Sequence, residues 1–147
     1  MKIYFAGPLF NEAEKSFNLR LTEKLEKLNH KVFLPQRDGI EKNKAPYNEL
    51  SPEKIRELIF ETDRDEILSS DIFLFILDGR VPDEGACVEL GIAYSNNFFN
   101  NKNIILIGLQ TDSRSTFLNS KLNPMIKVPL DYIFDNTQDF LNFIKTL

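Results

Sequence analysis

Ile72-Phe73-Leu74-Phe75-Ile76-Leu77 is an unbroken apolar run, with Ser70-Asp71 before it and Asp78-Gly79 after it. A strand with one face in water alternates apolar and polar residues, whereas a strand covered by helices on both faces reads as continuously apolar. The run therefore predicts a central strand of a parallel sheet over Asp71–Leu77. Shorter β-rich runs predict strands at Lys2–Ala6, Lys31–Leu34, Asn103–Ile107 and Asp131–Phe134. Between them lie stretches of helical period: Asn11–Leu28, opened by an asparagine cap, and Pro52–Ser69, where Ser51 precedes a proline at the first helical position. Two more helices are expected at about Glu84–Asn96 and at Thr137–Leu147, the latter with Phe140, Phe143 and Ile144 on one side. Strands alternating with helices describe an α/β fold, a doubly wound five-stranded parallel sheet flanked by helices.

At 147 residues, 42% of them hydrophobic and 27% charged, the chain reads as a single domain spanning 1–147. Its net charge of -4 argues against the clustered Lys and Arg that a phosphate-backbone surface needs, so no nucleic-acid polymer is expected as a partner. No apolar run approaches the roughly 18 residues of a membrane span. The opening Met1-Lys2-Ile3-Tyr4-Phe5-Ala6 is too short and wrongly flanked for a signal peptide, and a cytoplasmic location is the expectation. One cysteine, Cys87, and one histidine, His30, make neither an internal disulfide nor a soft-ligand metal site. Chemistry must rest on carboxylates, amides and hydroxyls, with Cys87 read as a small buried hydrophobe.

In doubly wound sheets ligands bind beyond the carboxyl ends of the strands. Two connections there are long and polar, Pro35–Leu50 and Gly108–Asn123, as functional loops often are. After the third strand, Asp78-Gly79-Arg80-Val81-Pro82-Asp83-Glu84-Gly85 leads into a helix that carries Glu89 in its early turns. A helical side chain leans over the residues three and four positions before it, here Ala86 and Gly85, and both are small enough to leave room for a ligand above the carboxylate. The helix amino terminus favours an anion, which suits Glu89 to nucleophilic attack; helix-dipole stabilisation alone also explains a glutamate there. Asp83 reads as a cap or turn residue. Asp63 falls between Ile59 and Ile67 on the inward arc of its helix, where a carboxylate needs a partner or a substrate. Glu66 shares that arc, and Arg64 and Asp65 read as solvated surface. Ala6-Gly7-Pro8-Leu9-Phe10 is neither a dinucleotide fingerprint nor a P-loop; Gly7 allows close approach of a ligand to the backbone. Tyr4 and Phe10 read as core aromatics, with Phe10 also placed to stack on a base.

These pieces together resemble the nucleoside 2-deoxyribosyltransferase family over nearly the whole length. The matching features are Ile3-Tyr4-Phe5-Ala6-Gly7-Pro8-Leu9-Phe10, Asp63 upstream of Ser70-Asp71, then Asp83, Gly85 and Glu89-Leu90-Gly91, and finally Asn123-Pro124-Met125. The resemblance implies a flavodoxin-like fold, no metal or organic cofactor, and transfer of 2-deoxyribose between nucleobases through a covalent deoxyribosyl-glutamate, an activity suited to nucleotide salvage. Carried over to this chain, Glu89 is the nucleophile, Tyr4 orients it, and Asp63 passes a proton to the departing base. Asp83 holds the sugar or base edge, Gly7, Phe10, Gly85 and Met125 line the substrate site, and Asn123 reaches the 5′-hydroxyl in a neighbouring subunit's site. Gln36 and Asp38 are offered for base contacts. The partners implied are nucleosides, nucleobases and further copies of the chain, as a dimer or a hexamer built from dimers. Two alternatives share the scaffold: hydrolysis of deoxynucleoside 5′-monophosphates by the same carboxylate, and a receiver-like signalling domain with Asp78 as phospho-acceptor.

Overall fold

A computed structural model of the protein describes residues 1–41, 46–112, 114 and 122–147. The chain runs β1 (Lys2–Ala6), α1 (Glu12–Lys27), β2 (Lys31–Phe33), α2 (Pro35–Asp38), a 3₁₀ turn (Tyr47–Glu49), α3 (Pro52–Leu68), β3 (Ile72–Ile76), α4 (Glu84–Asn100), β4 (Ile105–Leu109), α5 (Pro124–Lys127), β5 (Tyr132–Phe134) and α6 (Thr137–Ile144). All strand pairs are parallel and the strand order is β2-β1-β3-β4-β5. This is the flavodoxin-like order, and the chain reverses its direction of winding between β1 and β3. A crevice therefore opens beyond the carboxyl ends of those two strands.

β3 is buried at every residue because both sheet faces are covered. On one face Ile3, Phe5, Ile72, Leu74, Ile76, Ile107 and Leu109 pack against Leu21 and Leu25 of α1 and Phe140, Leu141 and Ile144 of α6. On the other, Tyr4, Ala6, Phe73, Phe75, Leu77 and Leu106 meet Ile67 of α3 and Ala86, Leu90 and Ala93 of α4. The alternation of β1 thus sends Tyr4 to the α3/α4 side. Helix starts follow their caps. Asn11 and Glu14 form a reciprocal capping box at α1, and Ser51 accepts from the Lys54 amide ahead of Pro52 at α3.

Several boundaries differ from the sequence expectation, each for a local reason. Lys31–Leu34 is shortened to Phe33 because Leu34 caps a helical turn opened by Pro35, so the stretch Pro35–Leu50 begins as α2 and not as a loop. The fourth strand lies two residues beyond Asn103–Ile107 and takes in Gly108 and Leu109. A Cβ on Gly108 would stand 2.7 Å from Leu77 Cδ1, so the glycine is a packing requirement and not a loop signal. α4 continues past Asn96 to Asn100. Asn97 stays helical while its side-chain amide bonds the backbone of Ile104 through both its oxygen and nitrogen, and Asn101 ends the helix with a left-handed φ of 51°. The final helix stops at Ile144. Much of the expected Gly108–Asn123 loop, at 113 and 115–121, and part of the Pro35–Leu50 stretch, at 42–45, lies outside the described residues.

Two glycine and carboxylate devices set the rim of the crevice. Gly7, at φ +148°, lets the chain leave β1 so close to β3 that a Cβ would fall 2.8 Å from Ile76 Cβ. Asp78, just after β3, accepts from the Thr111 amide, the Thr111 hydroxyl and the Asp112 amide at 2.5–2.8 Å, which ties the turn after β4 to the turn after β3. Both of its oxygens are taken up in this tie, an arrangement unlike an open phospho-acceptor. Asp78→Ala leaves these donors without their acceptor and is expected to lower the unfolding free energy by about 1–3 kcal/mol, read from the urea midpoint at unchanged m-value.

Candidate active site

α4 begins where the Asp83 carboxylate accepts from the Ala86 amide at 2.9 Å. That cap fixes the phase of the helix, and the phase turns Glu89 toward the sheet and back over Gly85. On the facing strand, the Tyr4 side chain is fully buried and its hydroxyl donates to Glu89 Oε1 at 2.9 Å. The Tyr4 ring lies between two others. Its register partners on β2 and β3 are Phe33 and Phe73, and both stack on it with centroids at 5.7 Å and interplanar angles of 15° and 9°.

A cavity of about 350 Å³ separates α3 from α4, and Asp63 and Glu89 share it. Its walls are otherwise apolar, from Ile59, Phe60, Ile67, Val88 and Ile92, with Gly85 leaving space beside Glu89 and Arg56 and Arg64 contributing guanidinium groups. The expectation that Asp63 faces inward therefore stands together with a correction to Arg64. That residue lines the cavity, its guanidinium carbon standing 6.0 Å from the centroid of the Phe60 ring and its Nε donating to Asp65. Glu66, on the same inward arc, is paired with Lys2 at 2.7 Å.

Burial dominates the electrostatics of the site. It pushes the Glu89 carboxyl up to about 7, with Asp63 and Asp83 adding repulsion and the Tyr4 hydrogen bond acting the other way. Burial also raises Asp63 to about 6, helped by the Glu66 charge. The Tyr4 phenol is driven far above its ordinary value by burial and by Glu89, so it serves as a donor and stays protonated. Two carboxyls thus titrate near neutrality in one cavity, and their apparent values belong to the pair.

The other residues singled out from sequence are dispersed. Gly7, Phe10, Gln36, Asp83, Asn123 and Met125 do not line this cavity. Phe10 is exposed at the β1 turn, and Met125 is exposed on α5. Asn123 caps α5 by accepting from the Met125 amide, while its neighbours Leu122 and Ile126 pack on the same core cluster as Tyr4. Gln36, offered for base contacts, has both ends of its amide engaged, accepting from Asn18 and donating to the Lys15 carbonyl. Asp38 is likewise held by Arg37 and the Leu34 amide. Cys87 is half-buried and not fully enclosed, its thiol raised by burial and by Asp83 and Glu84. Phe33, Phe73, Phe60, Val88 and Ile92 were not singled out as site residues by the sequence, because nothing local in it distinguishes these apolar side chains from core. Among the described residues no group of three His, Cys, Asp or Glu is arranged to hold a metal, and no helix is long and apolar enough to cross a membrane.

A carboxyl raised in the folded state binds its proton more tightly folded than unfolded. Its contribution is most favourable below the ordinary glutamate value and is lost as pH rises from about 4.5 to about 7. Glu89→Gln, which keeps an acceptor for Tyr4 without the charge, is expected to be more stable than the natural chain at pH 8 by about 1–3 kcal/mol, and to lose that advantage near pH 5. Chemical denaturation at the two pH values reads the difference.

The chain matches the model of a family described as nucleoside 2-deoxyribosyltransferase over residues 3–143. No curated protein matches it. Among solved structures it is similar to a conserved protein from Enterococcus faecalis V583, at 29% identity and a TM-score of 0.77, over 99% of this chain and 98% of that one. It is similar to a 2-deoxyribosyltransferase from Bacillus psychrosaccharolyticus at 27% identity and a TM-score of 0.75, over 97% of this chain and 91% of the other. A CMP N-glycosidase from Clostridium botulinum shares the fold at 20% identity and a TM-score of 0.54, over 99% of this chain and 98% of that chain. With the flavodoxin-like strand order, the half-buried carboxyl pair and a family match across nearly its full length, the chain belongs to the nucleoside 2-deoxyribosyltransferase family.

Proposed function

We propose that the chain transfers 2-deoxyribose between nucleobases, with Glu89 as nucleophile, Asp63 as general acid and base, and Tyr4 as the group that orients Glu89. The observation that carries this reading is the Tyr4–Glu89 hydrogen bond at the edge of a cavity that Glu89 shares with Asp63. A Glu89 oxygen bonds the anomeric carbon as the bond to the base breaks, and the bond pair leaves with the base, which takes a proton from Asp63. A second base then gives a proton to Asp63 and displaces Glu89, so two inversions retain the configuration. The positive charge that develops on the sugar favours the ionised form of Glu89 and hence leaves the pair's remaining proton on Asp63. Asp83, Gly7, Gly85, Phe10, Gln36, Asn123 and Met125 remain the proposed substrate contacts. For Gln36 such a role requires exchanging its bonds to α1.

A groove continuous with this cavity supports assembly with a second copy of the chain. It shares Phe60, Arg64, Val88 and Ile92 with the cavity and runs on past Gly91, Ser95 and Asn96 to Phe99. Asn96 is only 6% exposed there, and its side-chain nitrogen has no acceptor among the described residues. A neighbouring subunit seated on this groove would bring its own Asn123 and Met125 toward the site.

The alternative, hydrolysis of deoxynucleoside 5′-monophosphates, has one observation in its favour: Arg56 and Arg64 line the same cavity and keep donors that suit a phosphate. Incubation of the protein with deoxyinosine or thymidine plus adenine is expected to yield deoxyadenosine. Free deoxyribose, or turnover of 5′-monophosphates alone, would establish the hydrolase instead. Glu89→Gln should lower kcat by at least about 10³-fold. The profile of kcat/KM should be a narrow bell between pH about 6 and about 7, falling at lower pH as both carboxyls are protonated and at higher pH as both ionise. Light scattering should give a mass above the 17.1 kDa of one chain, reduced to one chain by Phe99→Glu.

A further inference from the structure

The Tyr4 hydroxyl meets Glu89 at the far end of a flat side chain, where a small tilt at Cβ moves the oxygen most. A hydrogen bond weakens steeply with such misalignment. Nothing polar holds the ring: apart from its hydroxyl it is aromatic surface, fully buried, and its orientation is set by what lies on its two faces. Those faces are covered by Phe33 and Phe73, near-parallel to it at equal centroid distances of 5.7 Å. The arrangement follows from register. Tyr4 is paired with Phe33 on one side and Phe73 on the other, and paired residues of adjacent parallel strands point to the same face. Phe73 is in turn braced edge-on by Phe75, with centroids at 6.3 Å and an angle of 78°. The row therefore has a fixed inner end, and only Phe33, on the edge strand β2, is partly exposed.

We propose that Phe33 and Phe73 are positioning residues that clamp the Tyr4 ring between them and so keep its hydroxyl on the Glu89 carboxylate. The inference rests on the reading of Glu89 as nucleophile for its catalytic meaning, while the clamp itself is a statement about the side chains alone. Truncating either phenylalanine frees one face of the ring, and the hydroxyl is then shared among orientations of which only some reach Glu89. The groups that face Glu89 are the Tyr4 hydroxyl from β1, Asp63, Arg56 and Arg64 from α3, and Asp83 from the cap of its own helix, with Glu66 acting on Tyr4 and Asp63. Of these, the Tyr4 hydroxyl directly donates to the carboxylate. Its loss therefore moves Glu89 titration upward, whereas a general loosening of the fold admits water and moves it downward, since burial is what raises it.

The experiment is titration of the Glu89 side-chain carboxyl carbon by NMR in the natural chain and in Tyr4→Phe, Phe33→Leu and Phe73→Leu, with kcat/KM measured across the same pH range. The expected result is an upward midpoint shift in Tyr4→Phe, a smaller shift of the same sign in each Leu variant, and no further shift when Phe33→Leu is added to Tyr4→Phe. With less of Glu89 ionised at a given pH, kcat/KM at pH 6 falls by about threefold to tenfold as the midpoint rises, and Phe33→Tyr, which restores a ring, returns both to the natural values. Should Phe73→Leu fail to fold, Phe33→Leu at the partly exposed end carries the test. A midpoint in Phe33→Leu unchanged or lowered while the melting temperature drops would reduce the row to ordinary core packing and overturn the proposal. If Glu89→Gln retained activity, the nucleophile assignment would fall while the NMR midpoints still judged the clamp.

Discussion

The hydrogen bond from Tyr4 to Glu89 joins the centre of the sheet to a helix start, and much of the architecture can be read as what is needed to make it. It requires β1 to lie between β2 and β3 so that its residue 4 is enclosed on both sides. It requires α4 to begin at Asp83 and not a residue earlier or later, since each residue turns the helix by about 100° and would carry Glu89 off the cavity. It also requires small residues near the approach. Ala6 follows Tyr4 on the same sheet face, and Gly85 and Ala86 precede Glu89, so the carboxylate can come down onto the phenol without displacing core side chains.

Among the described residues the same bond is the one direct stabiliser of a carboxylate that its surroundings otherwise disfavour. Apolar walls and two further carboxylates, Asp63 and Asp83, all push Glu89 toward the neutral acid. A protein selected only for stability would place a neutral side chain at position 89. Keeping a glutamate there, beside an aspartate that titrates in the same range, gives up folding free energy in return for a pair that can exchange one proton near neutral pH.

The fold was legible in the sequence because its evidence is local. A six-residue apolar run can only be a doubly covered strand or a helix fragment, and the turn residues at either end decide between them. The carboxylates were legible for a related reason: Glu89 early in a helix and Asp63 on an apolar arc are visible from helical period alone. What local reading lost was whatever depends on two elements meeting. Gly108 looks like a loop glycine until Leu77 and Leu130 are seen packed against it. Asn96 and Asn97 look like helix breakers until one is found buried in a groove and the other bonded to Ile104. Arg64 looks like surface until its neighbour across the cavity, Val88, is placed. Phe33 and Phe73 are unremarkable in their own strands, and only the register with β1 makes them a pair.

That division bears on what decides the fate of the sugar. If Glu89 is the nucleophile, as proposed, its attack needs only groups that one chain brings together, whereas the choice between a second base and water depends on how well the site is closed. The Glu89 cavity continues into a groove on the outer face of α3 and α4, with Phe60, Val88 and Phe99 all more than half exposed along it. Left open, such a surface admits water to a covalent intermediate, and hydrolysis competes with transfer. Covered by a second copy, the same apolar side chains exclude water and leave a flat, π-bearing base as the acceptor that best fits between them. On the proposed reading, then, subunit assembly and acceptor choice are one property: the face that would join two chains is also the wall that keeps water from the deoxyribosyl-glutamate.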